Sequence, residues 1–350
     1  RIRISQYENG TRVPRKDMLG KISKALHINS MYLNMDDHTE ALDFVFTLLD
    51  WDRTTDFIIK KETIELLKQD FYFNDIKIVT KEEDELVKKY LFELSDGNKI
   101  EAVLMEHDYG KSICVSSQIG CNMGCAFCES GRLKKVRNLE SFEIIEQILL
   151  ISEDINERIS SIVIMGIGEP FDNYDNIINF IKIVNNPFGL AIGARHITVS
   201  TCGIIPKIKE FMNLDLQVNL AISLHAPTNA LRSKIMPINN AYPLDDLVNT
   251  LKEYIAKTNR RVTIEYVMLN NVNDSLEDAR NLANLLKGMN VYVNLIPYNE
   301  TSHLDFKRSD KINSFYDTLK KYKINVTVRR EFGSNIDAAC GQLRAKEVEK

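Results

Sequence analysis

Strand-like and helix-like segments alternate along the last two thirds of this chain, and that alternation limits the fold more than any other feature. Short aliphatic and β-branched runs fall at 112–116, 160–165, 196–200, 217–223, 261–268 and 290–296, with a further one at 324–329. Between them, 139–152, 173–184, 243–257, 275–287 and 310–322 carry apolar residues at three-to-four spacing, the period of an amphipathic helix. Glu140 and Glu143 at the start of the first of these helices suit the positive end of a helix dipole. Repeated βα units pack as parallel strands covered by helices. The pattern predicts an α/β fold, a partial (βα)6 barrel of TIM-like type, with functional residues gathered at the carboxyl ends of its strands.

Ahead of the barrel the pattern differs. Ile76–Val79, Lys89–Leu94 and Ile100–Met105, the last two separated by Ser95-Asp96-Gly97-Asn98, predict a β-hairpin extension over 73–110. Residues 1–72 predict a small helical N-terminal segment, with Leu42, Val45, Phe46, Leu48 and Leu49 on one helical face. Within it, Ile4-Ser5-Gln6-Tyr7-Glu8-Asn9-Gly10-Thr11-Arg12-Val13-Pro14, followed by Leu19, Ile22, Ala25 and Leu26, resembles the recognition helix of the XRE-type helix-turn-helix family. The helices that should precede it are absent. A recognition helix needs a supporting helix across the DNA backbone, so the segment is expected to pack rather than read DNA. The barrel with its C-terminal tail is assigned to 111–350.

With 44% hydrophobic and 27% charged residues, the composition is that of a soluble globule. No run approaches the 18 or so apolar residues of a membrane span, and no basic-then-apolar leader is visible, so a cytoplasmic protein is expected. A net charge of −4 does not mark a nucleic-acid binder as a whole; local patches must carry that role. Two exist, Arg132, Lys134, Lys135 and Arg137, and Lys320, Lys321, Lys323, Arg329 and Arg330. Either is equally well read as a solvated face.

Three of the six cysteines fall within eight residues, Cys121-Asn122-Met123-Gly124-Cys125-Ala126-Phe127-Cys128. Such crowding argues against a secreted disulfide framework and for thiols engaged in metal or redox chemistry. Soft thiolates select iron–sulfur clusters or zinc. A closed structural zinc site wants four protein ligands, usually as two separated pairs. A C-x3-C-x2-C run offers three, which suits a 4Fe–4S cluster with one open iron, and it resembles the signature of the radical S-adenosylmethionine superfamily.

Nearly every other unusual motif ends a predicted strand. Gly166-Ile167-Gly168-Glu169-Pro170 follows the second strand; its glycines allow a close backbone approach, and Glu169 can accept hydrogen bonds from an ammonium group. Ser200-Thr201-Cys202-Gly203 ends the third and Ser223-Leu224-His225-Ala226-Pro227 the fourth, while Asn299 follows the sixth. A lone histidine is usually a satisfied core residue, but at a strand end within this set His225 is read as a ligand contact. Cys202, without charged neighbours, reads as small core packing. Cys114 precedes the cysteine run, and Cys340 lies in Asp337-Ala338-Ala339-Cys340-Gly341-Gln342-Leu343.

Cys114-Val115-Ser116-Ser117-Gln118, the cysteine run, Ser223–Pro227, Met236-Pro237-Ile238-Asn239 and the Asp337–Leu343 tail together resemble the RlmN/Cfr family of RNA adenosine methyltransferases, over about 74–344. The resemblance implies that Cys121, Cys125 and Cys128 hold a 4Fe–4S cluster whose open iron chelates S-adenosylmethionine. It places Gly168, Glu169, Ser200, Ser223, Leu224, His225 and Asn299 around that cofactor. It implies that Cys340 is methylated on sulfur and carries the methylene group to an adenine carbon. Cys114 would then release the methylated base through a transient disulfide, and Glu101, thirteen residues before Cys114, would act as general base. Such a route has a chemical reason: C2 and C8 of adenine carry no lone pair with which to attack a methyl donor. The base must also leave its stack, which favours an unpaired nucleotide.

The implied substrate is an adenosine of 23S ribosomal RNA, with transfer RNA a possible second. A flavodoxin- or ferredoxin-type electron donor and a monomer are expected. Gly168-Glu169-Pro170 and Glu101 lean towards C2; Cys202-Gly203-Ile204-Ile205-Pro206 and Arg232-Ser233-Lys234-Ile235-Met236-Pro237 are at least as close to C8-methylating, resistance-conferring Cfr-like chains. An iron–sulfur sensor controlling a DNA-binding head is the alternative from another class; the incomplete head and the Cys114/Cys340 pair stand against it.

Overall fold

The computed structural model describes residues 76–187, 189–301 and 303–329. The helix-turn-helix-like segment and Cys340 lie outside the described residues. Ten strands form one sheet. β1 (Lys77–Asp84), β2 (Val87–Glu93) and β3 (Lys99–His107) pair antiparallel as a meander, and β3 pairs antiparallel with β4 (Gly110–Cys114). From β4 the strands run parallel: β7 (Ser161–Ile164), β8 (Ile197–Thr201), β9 (Asn219–Ser223), β10 (Val262–Met268), β11 (Val291–Pro297) and β12 (Val326–Val328). The two-residue strands β5 (Gln118–Ile119) and β6 (Arg137–Asn138) form a separate ribbon.

The α/β barrel expected from the sequence is therefore present, and the Asp96-Gly97 turn joins β2 to β3 as anticipated: the Leu94 N–H donates to Asn98 O at 2.8 Å and the Asn98 N–H to Asp96 Oδ1 at 3.0 Å. The helices are α1 (Glu129–Arg132), α2 (Ser141–Ile155), α3 (Tyr174–Asn185), α4 (Ile205–Phe211), α5 (Asn229–Ile235), α6 (Leu244–Thr258), α7 (Leu276–Leu285) and α8 (Ile312–Lys321). Glu140 and Glu143 do more than face a dipole. They form a capping box at the start of α2, and Glu143 also binds Arg137 at 2.7 Å. Short α4 and α5 carry too few turns for a periodic signal in the sequence.

Register separates the sheet into two unlike faces. Residues paired across a ladder point the same way, and neighbours along a strand alternate. One face carries Tyr90, Ile100, Leu104, Ile113, Ile162, Val199, Leu220, Ile222, Ile264, Val293 and Leu295, all buried. Each fully buried aliphatic side chain contributes about 1.5–3 kcal/mol. The opposite face carries Lys89, Glu101, Cys114, Ser200, Ser223, Glu265, Asn294 and Thr327, linked through Lys89↔Val103↔Cys114 and Ser223↔Glu265↔Asn294↔Thr327. A polar band so placed lines the inside of the barrel near the carboxyl ends of its strands.

Candidate functional site

The β5–β6 ribbon is the stem of the cysteine loop. Cys121 N–H donates to Leu133 O at 3.0 Å and Val136 N–H to Ile119 O at 2.7 Å, which closes the loop on itself. Three further contacts fasten it to the barrel. Ala126 N–H donates to Ile235 O at the end of α5 (2.9 Å), Tyr298 Oη donates to Phe127 O beyond β11 (3.2 Å), and the Phe127 ring meets the His225 ring edge-on with centroids 4.9 Å apart. The aromatic at position 127 and Tyr298 thus position the loop; the motif spacing alone gave no sign of either.

All five cysteines among the described residues are free thiols. Burial pushes Cys121 up to about 12 and Cys125 well above its ordinary value; their like-charged neighbours add to the rise at both. Burial also raises Cys128, against the pull of the Gly131 and Ser130 backbone N–H groups. Among the described residues no three His, Cys, Asp or Glu converge on one metal ion. Three thiols on one short loop are the donor set that a 4Fe–4S cluster would take.

A second observation fits the same group. The Arg232 guanidinium is completely buried, yet its partners are all neutral oxygens: Leu224 O (3.2 Å), Cys202 O (2.6 Å), Ser223 O (3.3 Å) and Asn239 Oδ1 (3.1 Å). Hydrogen bonds to a charged group contribute roughly 1.5–3 kcal/mol each, which offsets a desolvation penalty of several kcal/mol. No carboxylate neutralises it among the described residues. It sits on α5, whose last residue binds the cysteine loop, and its charge is felt at Cys125. Three thiols that need a cation, beside a cation that lacks an anion, match a cluster whose net charge with its thiolates is negative.

The other residues singled out at strand ends are placed as follows. On their Cβ side Gly166 approaches the backbone of the segment after β4 and Gly168 the side chains of Ser117 and Gln118. A Cβ at Gly166 would stand 2.6 Å from Val115 O, and one at Gly168 (φ +111°) 2.7 Å from Gln118 Cβ and Ser117 Oγ. Glu169 is buried, and its carboxylate accepts from the Phe171 N–H (3.0 Å) and the Cys202 N–H (2.8 Å), tying the β7 and β8 ends together; burial raises it above the usual carboxylate range. Ser200 and Ser223 Oγ stand 3.5 Å apart on adjacent strands. Leu224 is buried and Asn299 exposed.

His225 adopts φ +56° and is buried; its Nδ1 accepts the Val267 N–H at 3.0 Å. Burial, with Arg232 nearby, holds it down at about 3, so the ring is neutral. One nitrogen is thus engaged within the fold, and the neutral ring's other nitrogen carries its proton. Cys202 packs with Ala226, Ile235 and Met236, as read from the sequence.

Glu101 and Cys114 lie on the same inner face, with Cys114 paired in register to Val103, two residues along β3 from Glu101. Glu101 is ion-paired with the fully buried Lys89 at 3.1 Å. Cys114 ends β4, and burial raises its thiol, while Arg329 and Lys89 pull it back down. Lys89 was missed because its strand, Lys89-Tyr90-Leu91-Phe92, reads as apolar on both faces. The basic patch after the cysteines is mostly neutralised within the fold: Arg132 binds Glu129 (3.0 Å), Lys135 binds Asp172 (2.6 Å) and Arg137 binds Asp96 (2.8 Å), which leaves Lys134 exposed.

Comparison with known proteins agrees with this geometry. Residues 115–284 match the model of the radical SAM superfamily. A probable dual-specificity RNA methyltransferase RlmN of Spiroplasma citri is 53% identical over 307 residues, 87% of this chain and 88% of that one. A protein of the same name from Acholeplasma laidlawii is 55% identical over 293 residues, 83% of this chain and 87% of its own. A crystal structure of a radical SAM methyltransferase from Sphaerobacter thermophilus superposes with a TM-score of 0.81 at 34% identity, covering 94% of this chain and 97% of that one. The cofactors of this superfamily are a 4Fe–4S cluster and S-adenosylmethionine, as the cysteine run implied. From the loop of three free thiols and relatives that are more than half identical over the aligned residues, the chain belongs to the radical SAM superfamily and, within it, to the RlmN-type RNA methyltransferases.

Proposed function

We propose that the chain methylates a ring carbon of an unpaired adenosine in RNA, at C2 rather than C8, with 23S ribosomal RNA the first substrate and transfer RNA a second. The observation that carries this reading is the placement of Glu101 and Cys114 together on the inner face of one sheet, at the end where the cysteine loop is fastened. The relatives' name, dual-specificity RNA methyltransferase, supports RNA as the substrate class and two RNAs as its range.

In this reading Cys121, Cys125 and Cys128 hold the cluster, and Ser200, Ser223, Leu224, His225, Asn299 and the Gly168-Glu169 turn surround its S-adenosylmethionine. The bound group supplies the methyl carbon and the one-electron chemistry that activates it, fed by a flavodoxin- or ferredoxin-type donor. Glu169 and His225 act through the fold, since each anchors backbone N–H groups beside the loop. Cys340, outside the described residues, is the proposed methyl carrier. Glu101 takes the proton that leaves the adenine carbon once that carbon is joined through a methylene to Cys340, and the accompanying electron leaves to the one-electron carrier. Cys114 then attacks the Cys340 sulfur as a thiolate. The S–S bond forms, the S–CH2 bond breaks with its pair on carbon, and a proton completes the methyl group. An external dithiol reduces the disulfide for the next turnover.

Mass spectrometry of 23S and transfer RNA from cells with and without the protein tests the reading. A methyl gained at adenine C2 is expected, whereas one at C8 would indicate Cfr-type chemistry and RNA without any change would remove the assignment. In parallel, reconstituted Cys114→Ala protein should remain covalently joined to RNA on a denaturing gel; free methylated RNA from that variant would contradict the release role.

A further inference from the structure

We propose that Arg232 is the fold's own counter-charge for the iron–sulfur cluster, a positioning and potential-setting residue that holds a fixed positive charge beside the Cys125 corner. The argument begins with its surroundings. A guanidinium cannot lose its proton within the range of protein chemistry, so Arg232 is a permanent charge in a site with no solvent access. Buried ions are normally paired. Here five N–H donors meet four neutral acceptors from three places, the β8 end (Cys202 O), the β9 end (Ser223 O and Leu224 O) and the turn after α5 (Asn239 Oδ1).

Glu169 binds the Cys202 N–H while Arg232 binds the Cys202 carbonyl, and among the described residues no ion pair joins the two. On the remaining side stands the cysteine loop. Ile235 of the same helix accepts the Ala126 N–H, and the cluster of Cys202, Ala226, Ile235 and Met236 packs against Met123, Cys125 and Phe127. A cluster with three thiolates brings negative charge into this corner, and low local dielectric strengthens its attraction to the guanidinium. Adding an electron increases that negative charge, so a fixed cation favours the reduced form. The geometry therefore assigns Arg232 two linked effects, retention of the cluster and a less negative reduction potential. Neither depends on which adenine carbon, or which RNA, the enzyme acts on.

The test uses reconstituted full-length protein, with iron content and an EPR-monitored redox titration as readouts, and needs no turnover. Arg232→Met should shift the reduction equilibrium against the reduced cluster by about tenfold, a midpoint about 59 mV more negative for a one-electron couple, and should release iron faster to a chelator. Arg232→Lys, which keeps the charge and loses the fork, should stay near the wild-type potential. Asn239→Asp leaves Arg232 in place and supplies a carboxylate at the acceptor now 3.1 Å from Nη1; it should move the potential in the same direction as Arg232→Met.

If Arg232→Met fails to take up iron while Arg232→Lys succeeds, the charge is what the cluster requires and the proposal stands. Should Asn239→Asp carry a full cluster at the wild-type potential, the proposal is overturned whether or not the methionine variant folds. Equal potentials in wild type and Arg232→Met would overturn it as well, leaving Arg232 a purely mechanical tie between strand ends.

Discussion

His225 shows what a single position can and cannot reveal. Its place at the end of β9 was legible from the Ser223-Leu224-His225 run, but its working partner was not, because Val267 lies 42 residues further along on a neighbouring strand. The ring is held neutral by burial, and this has a consequence for acid stability. Unfolded, a histidine binds its proton near pH 6.5; folded, this one is held down to about 3. As pH falls from 6.5 towards 3 the unfolded chain takes up a proton that the folded chain refuses, so stability is complete above 6.5 and is lost through that window. Asparagine can place an acceptor where Nδ1 now stands and tolerates φ +56°. His225→Asn is therefore expected to keep the fold while losing about 2 kcal/mol less than wild type between pH 7 and pH 5. Urea unfolding of cluster-free protein at both pH values measures this, and superimposable pH profiles for the two proteins would contradict it.

At the scale of elements, the loop after β7, expected from the sequence to approach a ligand, also has a task within the fold. Ser117 N–H and Gln118 N–H both donate to Ile167 O, and the Glu169 N–H donates to Gln118 Oε1 at 2.9 Å, so this loop is stitched to the segment that leads into the cysteines. The glycines were visible in the sequence; what they approach was not, since the partner segment lies about 50 residues earlier. Gly168→Ala would strain a φ of +111° and press a methyl against the Gln118 Cβ and the Ser117 hydroxyl. A cost of about 1–3 kcal/mol follows from the backbone alone, with the clash in addition. Because the displaced segment continues into β5, cluster uptake should fall along with the denaturant midpoint. A variant as stable as wild type with full iron content would show that the turn is more compliant than its contacts indicate.

For the whole molecule, the order of strands does what no local motif can. It sets Lys89, Glu101 and Cys114, from three strands that are each half of an ordinary apolar-looking run, on the same inner face as Ser200, Ser223 and Glu265. Cysteines and strand-end motifs were legible because their meaning lies in consecutive residues. Buried charges such as Lys89 and Arg232 were not, because a long side chain is buried only by partners from elsewhere in the chain. The Lys89–Glu101 pair, at 0% and 3% exposure, is the sharpest example. Removing one member of a buried pair strands the other's charge and costs about 3–5 kcal/mol, whereas replacing both is far milder. Lys89→Met and Glu101→Gln are accordingly expected to destabilise singly by a few kcal/mol, and the double variant by clearly less than their sum, with a coupling of about 1–3 kcal/mol. Denaturant unfolding of the four proteins closes this cycle. Additive effects would mean that the two charges are held by their other surroundings rather than by each other, and the pair would then not be what keeps the proposed base on the same face as Cys114.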